Sequence, residues 1–394
     1  MSEWKKYRLG EICTDISYGY TASAMYDPIG PKFLRITDIV PNQIEWLTVP
    51  YCKSTNETTE KYRLEIGDIV IARTGATTGY NKTIKKLDYE TVFASYLIRY
   101  KINKEIAHPF FIGYVLQSSL WQNYVNAIIG GSAQPGANAK QFGNFELNIP
   151  DLPTQTRIAQ ILTSFDDKIE LLGQMNQTLE TMAQAIFKEW FVDFNFPGFD
   201  GALVDGLPKG WRKGSIYELI EVTYGFPFKS SLFNSESKGK GLIRIRDLKN
   251  NVCGFFTEEE AQEKYLINAG NIVAGMDAEF IPSIWLGEQS WLNQRVCKFF
   301  SRKDSVSELF IYYSVKPLLE RSQYGKVGTT VIHLGKTDID RYEIFIPSED
   351  VLQKFKTQSQ EIHKKIIANQ HQIRTLAHLR DTLLPKLMSG SVAV

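Results

Sequence analysis

The chain has 394 residues, 43% hydrophobic and 23% charged, with a formal net charge of +1. That length exceeds one ordinary core and points to two or three domains, and the near-neutral total leaves only local basic loops to argue for a nucleic-acid partner. No apolar run reaches the length of a membrane span, so no membrane partner is expected; the opening MSEWKKYRLGEI lacks an apolar signal core, and four scattered cysteines without a CxxC pair fit a reducing cytosol.

From the start, alternating runs predict strands: FLRITDIV (33–40), GDIVIART (67–74) and SYLIRYKI (95–102). HPFFIGYVLQSSLWQNYVNAI (108–128) reads as one helix. Gly67-Asp68 reads as a turn entering a strand, and so does Gly270-Asn271 much later. NIVAG (271–275) and VCKFF (296–300) are further strands.

The chain then repeats itself. WKKYRLGEI (4–12) returns as WRKGSIYEL (211–219), and FLRITDI (33–39) as LIRIRDL (242–248). YRLEIGDIVIA (62–72) returns as YLINAGNIVAG (265–275), and the helical stretch as SELFIYYSVKPLLERSQYG (307–325). GSAQPGANAKQFGNFELNIP (131–150) returns as GTTVIHLGKTDIDRYEIFIP (328–347). Such self-similarity means one unit used twice. The matching positions are apolar, Gly or Pro, and the loops between them diverge. One scaffold therefore carries two different binding surfaces.

After each IP the period changes from two to seven. Ile158, Leu162, Phe165, Ile169, Leu172, Asn176, Leu179, Ala183 and Ile186 form an a/d seam. The second seam is Ile362, Ile366, Asn369, Ile373, Leu376, Arg380, Leu383 and Leu387, with Pro385 disturbing its end. Residues 151–194 carry 3 basic and 7 acidic residues, residues 351–394 carry 7 and 2, so opposite charge favours pairing the helices with each other. The antiparallel register that sets Leu162 against Leu383 also sets Asn176 against Asn369, a buried polar pair of the kind that fixes register. The expectation is an α+β fold with pseudo-two-fold internal repeat: strand-rich mixed α/β domains at 1–150 and 195–350, separated by two long antiparallel helices, 151–194 and 351–394, forming a coiled coil. Such a rod carries a reader at each end, which suits two separated DNA half-sites in opposite orientation. The start of the distal helix, near Val351 to Phe355, is the least defined boundary, because PSEDVLQKF lacks the proline punctuation of PDLPTQTRI.

LNIPDLPTQTRIAQILTSFDDKIELLGQMNQTLETMAQAIFKEWF resembles the central conserved region of the specificity subunit of type I restriction–modification systems, and IFIPSEDVLQKFKTQSQEIHKKIIANQHQIRTLAHLRDTLLPKLMSG resembles its distal conserved region. The two Trp-led starts look like the heads of two target recognition domains. The resemblance covers nearly the whole chain. It implies a non-catalytic subunit that reads a bipartite, asymmetric double-stranded DNA target, one domain per half. It also implies two modification subunits, restriction subunits in the full complex, and a prokaryotic cytoplasm. S-adenosylmethionine, ATP and Mg would belong to those partner subunits and none to this chain.

The residues agree with a chain that lacks chemistry of its own. GSAQPGANAK lacks the Lys-Ser/Thr of a phosphate-binding loop. Pro150-Asp151 with Asp166-Asp167-Lys168 matches a nuclease pattern formally, but the second part falls on a helix flank and reads as a solvated face. The five histidines show no zinc spacing, so no metal is expected. Base and phosphate contacts need donors on loops. The first domain offers Arg73, Lys82, Lys85, Lys86, Ser132, Gln134, Asn138 and Lys140. The second offers Lys229, Ser230, Ser231, Lys326, Thr329, Thr330 and His333. Arg35 and Arg244 recur at matching positions, as a structural role or a phosphate contact would both require. Two other readings compete: a single-chain restriction or methyltransferase-type enzyme, and a coiled-coil scaffold for protein partners. Missing motifs oppose the first, and a sequence-selective DNA affinity would exclude the second.

Overall fold

The computed structural model describes residues 4–41, 43–130, 136–325 and 332–392. The chain divides into two units, Met1–Glu170 with Thr375–Val394, and Leu171–Arg374. The division runs through both long helices, so each unit owns the start of one and the end of the other.

In the first unit, strand β1 (Lys5–Arg8) and strand β2 (Cys13–Tyr18) open the chain, followed by β3 (Lys32–Leu34), helices α1 (Ile36–Ile39) and α2 (Asn56–Tyr62), and strands β4 (Ile69–Ala72), β5 (Asn81–Thr83), β6 (Thr91–Phe93) and β7 (Leu97–Ile102). Helices α3 (Pro109–Val115), α4 (Ser119–Ile129) and α5 (Ala139–Gly143), strand β8 (Glu146–Ile149) and the long helix α6 (Leu152–Phe191) complete it. An antiparallel sheet runs β2-β7-β4-β5. All four residues of β4 are buried, as an unbroken apolar run at a sheet centre requires. β1 closes antiparallel on β8, and β3 lies parallel to β6. Leu9, Ile69, Ile98, Phe111, Trp121 and Phe142 form the core; Ile158 and Leu162 of α6 join it, and so does Leu387 from the end of the chain.

The second unit repeats this plan. A hairpin of β9 (Leu203–Val204) and β10 (Leu207–Pro208) precedes it. Its turn residues Asp205 and Gly206 both have positive φ, at 51° and 78°, as a tight right-twisted hairpin demands. β11 (Arg212–Ser215) and β12 (Ile220–Tyr224) match β1 and β2; β13 (Lys240–Ile243), β14 (Phe256–Thr257), β15 (Leu266–Ile267), β16 (Ile272–Gly275), β17 (Pro282–Ile284), β18 (Ser290–Leu292) and β19 (Val296–Ser301) follow. Helices α7 (Glu308–Gly325) and α8 (Lys336–Ile339), strand β20 (Glu343–Ile346) and the long helix α9 (Glu349–Met388) end the chain. The main sheet is β12-β19-β16-β17, the counterpart of β2-β7-β4-β5, and β11 pairs with β20 as β1 pairs with β8. β13 lies parallel to β18, as β3 does to β6. Trp190 and Phe191 of α6 pack here with Trp211, Phe299, Phe310 and Phe355.

Both Gly turns have the expected form. Gly67 and Gly270 have φ of 95° and 98°, and the side chain after each accepts a backbone N–H three residues back: Asp68 from Glu65 and Asn271 from Asn268, each at 2.9 Å. Two expectations need correction. FLRITDIV is a strand only to Leu34; the Asp38 carboxylate then accepts the Arg35 N–H at 2.8 Å and turns the chain into α1. Residues 108–128 are two helices, because Asn81 Nδ2 donates to the Leu116 carbonyl at 2.5 Å and takes it from the helix ladder. Ser118 then caps the new helix by position.

The long helices pair antiparallel. In the second unit Asn369 Nδ2 donates to Asn176 Oδ1 at 2.9 Å, and Asn176 Nδ2 donates to the Ile366 carbonyl at 3.3 Å. Ala183, Ile362 and Ile366 are buried around them, with Leu179 half-buried. Leu172 is buried, while Ile169, Ile373, Leu376 and Leu383 are half-buried. The distal helix starts at Glu349, with Val351, Leu352 and Phe355 buried at once, and it continues through Pro385 to Met388. Gln155 of α6 is fully buried, donating to the Pro150 carbonyl at 2.8 Å and accepting the His108 N–H at 2.8 Å. The repeat places Leu352 where Gln155 stands, so the second junction is sealed by an apolar side chain instead.

Candidate nucleic-acid interface

Each unit builds a small platform where its central strand ends. In the first, the residue after β4 is Arg73; its N–H donates to the Tyr96 carbonyl at 3.1 Å, and its own carbonyl accepts the Ala137 N–H at 3.0 Å. In the second, the residue after β16 is Met276; its N–H donates to the Arg295 carbonyl at 2.9 Å, and its carbonyl accepts the Leu334 N–H at 2.7 Å. An antiparallel bridge joins Thr74 to Gly136 in one case and Asp277 to His333 in the other. The backbone arrangement is the same. The side chains are not.

On the first platform the Arg73 guanidinium lies 4.9 Å from the centre of the Tyr18 ring. The Tyr18 hydroxyl accepts the Ala139 N–H at 3.0 Å. Asn138 caps α5 reciprocally with Gln141, at 2.9 and 3.0 Å, and Lys140 is exposed beside it. Tyr80 and Tyr96 are exposed at the same end of the sheet. On the second platform His333 Nδ1 meets Asp277 Oδ1 at 2.6 Å, and Arg295 Nε meets Asp277 Oδ2 at 3.3 Å. Lys229, Ser230 and Ser231 are exposed on a short turn, where the Lys229 N–H donates to Glu259 at 2.9 Å.

The remaining candidates lie elsewhere. Lys82 donates to the Pro41 carbonyl at 2.9 Å, and burial, with the Lys85 charge, lowers its pKa against the opposing pull of Asp166. Lys85 pairs with Asp166 at 3.3 Å and Asp167 at 3.6 Å, and exposed Lys86 pairs with Asp88 at 2.8 Å. Ser132, Gln134, Lys326, Thr329 and Thr330 lie outside the described residues. Arg35 and Arg244 each pair with the Asp three residues on, at 3.0 and 3.3 Å, which gives both a structural role in the turn.

Asp166 is not the solvated residue expected of it. Tyr114 Oη donates to it at 2.6 Å and Arg380 Nη1 at 2.7 Å, in addition to the Lys85 contact. Burial alone would raise its pKa, but Lys85, Tyr114 and Arg380 outweigh that and hold the carboxyl below its ordinary value. Asp166 is thus a tie between globule and helices, with no metal-binding company: among the described residues no cluster of three or more His, Cys, Asp or Glu side chains could hold a metal ion. Among the same residues no helix is long and apolar enough to cross a membrane. Sequence reasoning passed over Tyr18, Asp277 and Arg295 as individual contributors. The signal that finds them is the repeat itself, which aligns FASYLIRY with LNQRVCKF and sets Tyr96 opposite Arg295.

Comparison with known proteins agrees with the duplicated plan. The family model of the type I restriction modification DNA specificity domain matches twice, at residues 1–181 and 208–375. The specificity subunit of the type I restriction enzyme MjaIX of Methanocaldococcus jannaschii is 29% identical over 348 residues, covering 84% of this chain and 76% of that one. The HindI specificity subunit of Haemophilus influenzae is 26% identical, with 100% of both chains covered. The crystal structure of the S subunit of a type I restriction–modification system from M. genitalium superposes with a TM-score of 0.64 at 14% identity, covering 98% of this chain and 96% of that one, so the fold is shared.

Proposed function

The chain belongs to the type I restriction–modification DNA specificity family, and from that membership we propose that it selects the DNA target of such a complex, each repeated domain reading one half of a bipartite, asymmetric double-stranded sequence. The observation that carries the division of labour is the duplicated platform. The same backbone hydrogen bonds underlie Arg73, Tyr96 and Gly136 in one domain and Met276, Arg295 and His333 in the other, where Met276 is buried in the core and Arg295 and His333 are exposed. A scaffold held constant beneath side chains that differ suits two readers of different sequences. The long helices serve as spacer and as docking surface for two modification subunits, and restriction subunits complete the assembly. S-adenosylmethionine, ATP and Mg are bound by those partners in the prokaryotic cytoplasm. This chain contributes selection rather than chemistry.

The test is to assemble the chain with its modification subunits and map adenine methylation on genomic DNA. A bipartite motif is expected. Exchanging residues 1–150 for the corresponding domain of another such subunit should replace one half of the motif and leave the other. Methylation without sequence preference, or an unchanged motif after the exchange, would overturn the reading.

A further inference from the structure

The two platforms each carry one arginine, but from different strands. Arg73 follows β4, and its partner across the ladder is Tyr96. In the second unit the residue after the central strand is Met276, and the arginine is the cross-ladder partner, Arg295. The cation stands at the other position of the pair while the backbone of the platform has stayed the same, and the position after the strand holds Met276, buried in the core. Each arginine also has a different support. Arg73 is laid on the Tyr18 ring, whose hydroxyl is itself held by the Ala139 N–H. Arg295 forms an ion pair with Asp277, whose nearest oxygen lies 3.3 Å from Nε and whose other oxygen is engaged by His333.

We propose that Arg295 and Arg73 are the guanine readers of the two half-sites, with Asp277 and Tyr18 as the positioning residues that aim them. This deepens the DNA-selection reading and rests on it. With Nε as its closest nitrogen to the carboxylate, the Arg295 guanidinium keeps its two terminal nitrogens farther from Asp277, and that outer edge matches the paired O6 and N7 acceptors of guanine in the major groove. Fixing the rotamer beforehand reduces what must be ordered on binding. Stacking at Arg73 takes up none of the in-plane donors, and with Nε buried it is the terminal nitrogens that serve as the reading edge. Arg295 is exposed, so its terminal edge is accessible, and the aspartate neutralises the charge that would otherwise draw it to the nearest phosphate. Each domain spends one arginine at the same spot, which is what a single guanine per half-site asks for.

The test uses the full subunit assembled with its modification subunits. Competition binding compares the mapped target with duplexes altered at one base pair at a time. Arg295→Ala should abolish the preference for guanine at one position of the half read by residues 195–350, where the wild-type complex discriminates by about 10- to 100-fold. The other half should be unaffected. Arg73→Ala should do the same at one position of the half read by residues 1–150. Arg295→Lys keeps the charge but not the forked donors, so overall affinity should stay within a few-fold while the guanine preference falls. Asp277→Asn should weaken that preference without moving the melting temperature, a result that a purely structural carboxylate would not give. A uniform loss of affinity for every sequence, with a shallower salt dependence, would mark the arginines as phosphate contacts and overturn the proposal. So would an unchanged motif. A wild-type complex with no sequence preference would instead remove the DNA-selection reading itself, so the two failures are distinguishable. Should Arg73→Ala lower the melting temperature, Arg73→Lys supplies the same comparison with the side-chain stem retained.

Discussion

Removing the Asp166 carboxylate tests how the first unit holds its long helix. Asp166→Asn keeps the shape and one acceptor but removes the carboxylate that Arg380 and Lys85 share, leaving them Asp381 and Asp167. Breaking a fully buried ion pair costs about 3–5 kcal/mol, and an exposed pair is worth about 0–1 kcal/mol. Asp166 and Arg380 retain 20% and 30% of their side-chain exposure, which places them between these limits. A loss of about 2 kcal/mol follows once solvent screening is allowed for. The assay is amide hydrogen exchange of residues 152–170 in the full chain at pH 7, with urea unfolding beside it. Arg380→Met and the double variant close the cycle, and the expected coupling is about 1–2 kcal/mol. The pH dependence has a definite sign. The folded carboxyl sits below its ordinary value, so its contribution is fully present above the unfolded pKa of about 3.9 and is lost as pH falls through the folded value. The gap between wild type and Asp166→Asn should therefore close in acid, below about pH 4. A coupling under about 0.5 kcal/mol, no larger than ordinary non-additivity, or a gap that widens in acid, refutes the assignment of Asp166 as the tie.

Other perturbations read single contacts. Asn176→Leu should lower stability by about 1–3 kcal/mol by leaving the buried Asn369 amide without its acceptor, whereas replacing both by Leu should restore the melting temperature. Gly270→Ala should cost about 2–4 kcal/mol in urea unfolding, because φ is 98° and a Cβ there meets Ile367 Cδ1 at 2.7 Å; Gly75→Ala, with φ 74° and open space, should cost only about 1 kcal/mol. His363 is held neutral by burial, against the opposing influence of Glu308 at 3.9 Å, so the unfolded chain binds more protons below about pH 6.5 and stability falls there; His363→Gln should flatten the profile between about pH 7 and 5. Leu387→Ala, at a side chain 2% exposed in the first core, should cost about 2–5 kcal/mol and raise exchange in the first unit.

What was legible in the sequence is what local pattern dictates. The a/d seam is visible because its period is seven whatever the helix packs against, and the Asn176–Asn369 contact follows from the register that the seam imposes. The Gly67 and Gly270 turns are visible because only glycine takes that φ cheaply. What stayed hidden depends on partners far along the chain. The break at Leu116 comes from Asn81, and the role of Asp166 comes from Lys85, Tyr114 and Arg380, which are 81, 52 and 214 residues away. A charged pair on a helix flank looks solvated until the globule that covers it is known.

The platforms show why the same limit applies to the reading residues, and how duplication partly lifts it. A loop arginine in one sequence is a guess among many cations, since most surface charges are idle. Two copies of one scaffold supply a control. An exposed position that keeps its backbone bonds while changing side chain, as Tyr96 changes to Arg295, is released from the demands of folding, whereas Met276, opposite Arg73 in the repeat, is drawn into the core. Lys85, by contrast, has Asp166 as its partner and is committed to the fold. Arg35 and Arg244 keep both identity and partner in the two copies, which is the signature of a structural turn. Conserved chemistry between the repeats therefore marks scaffold, and exchanged chemistry on conserved backbone marks the reader. By that criterion the proposed reader Arg295 stands on exchanged chemistry over conserved backbone at the end of the central strand.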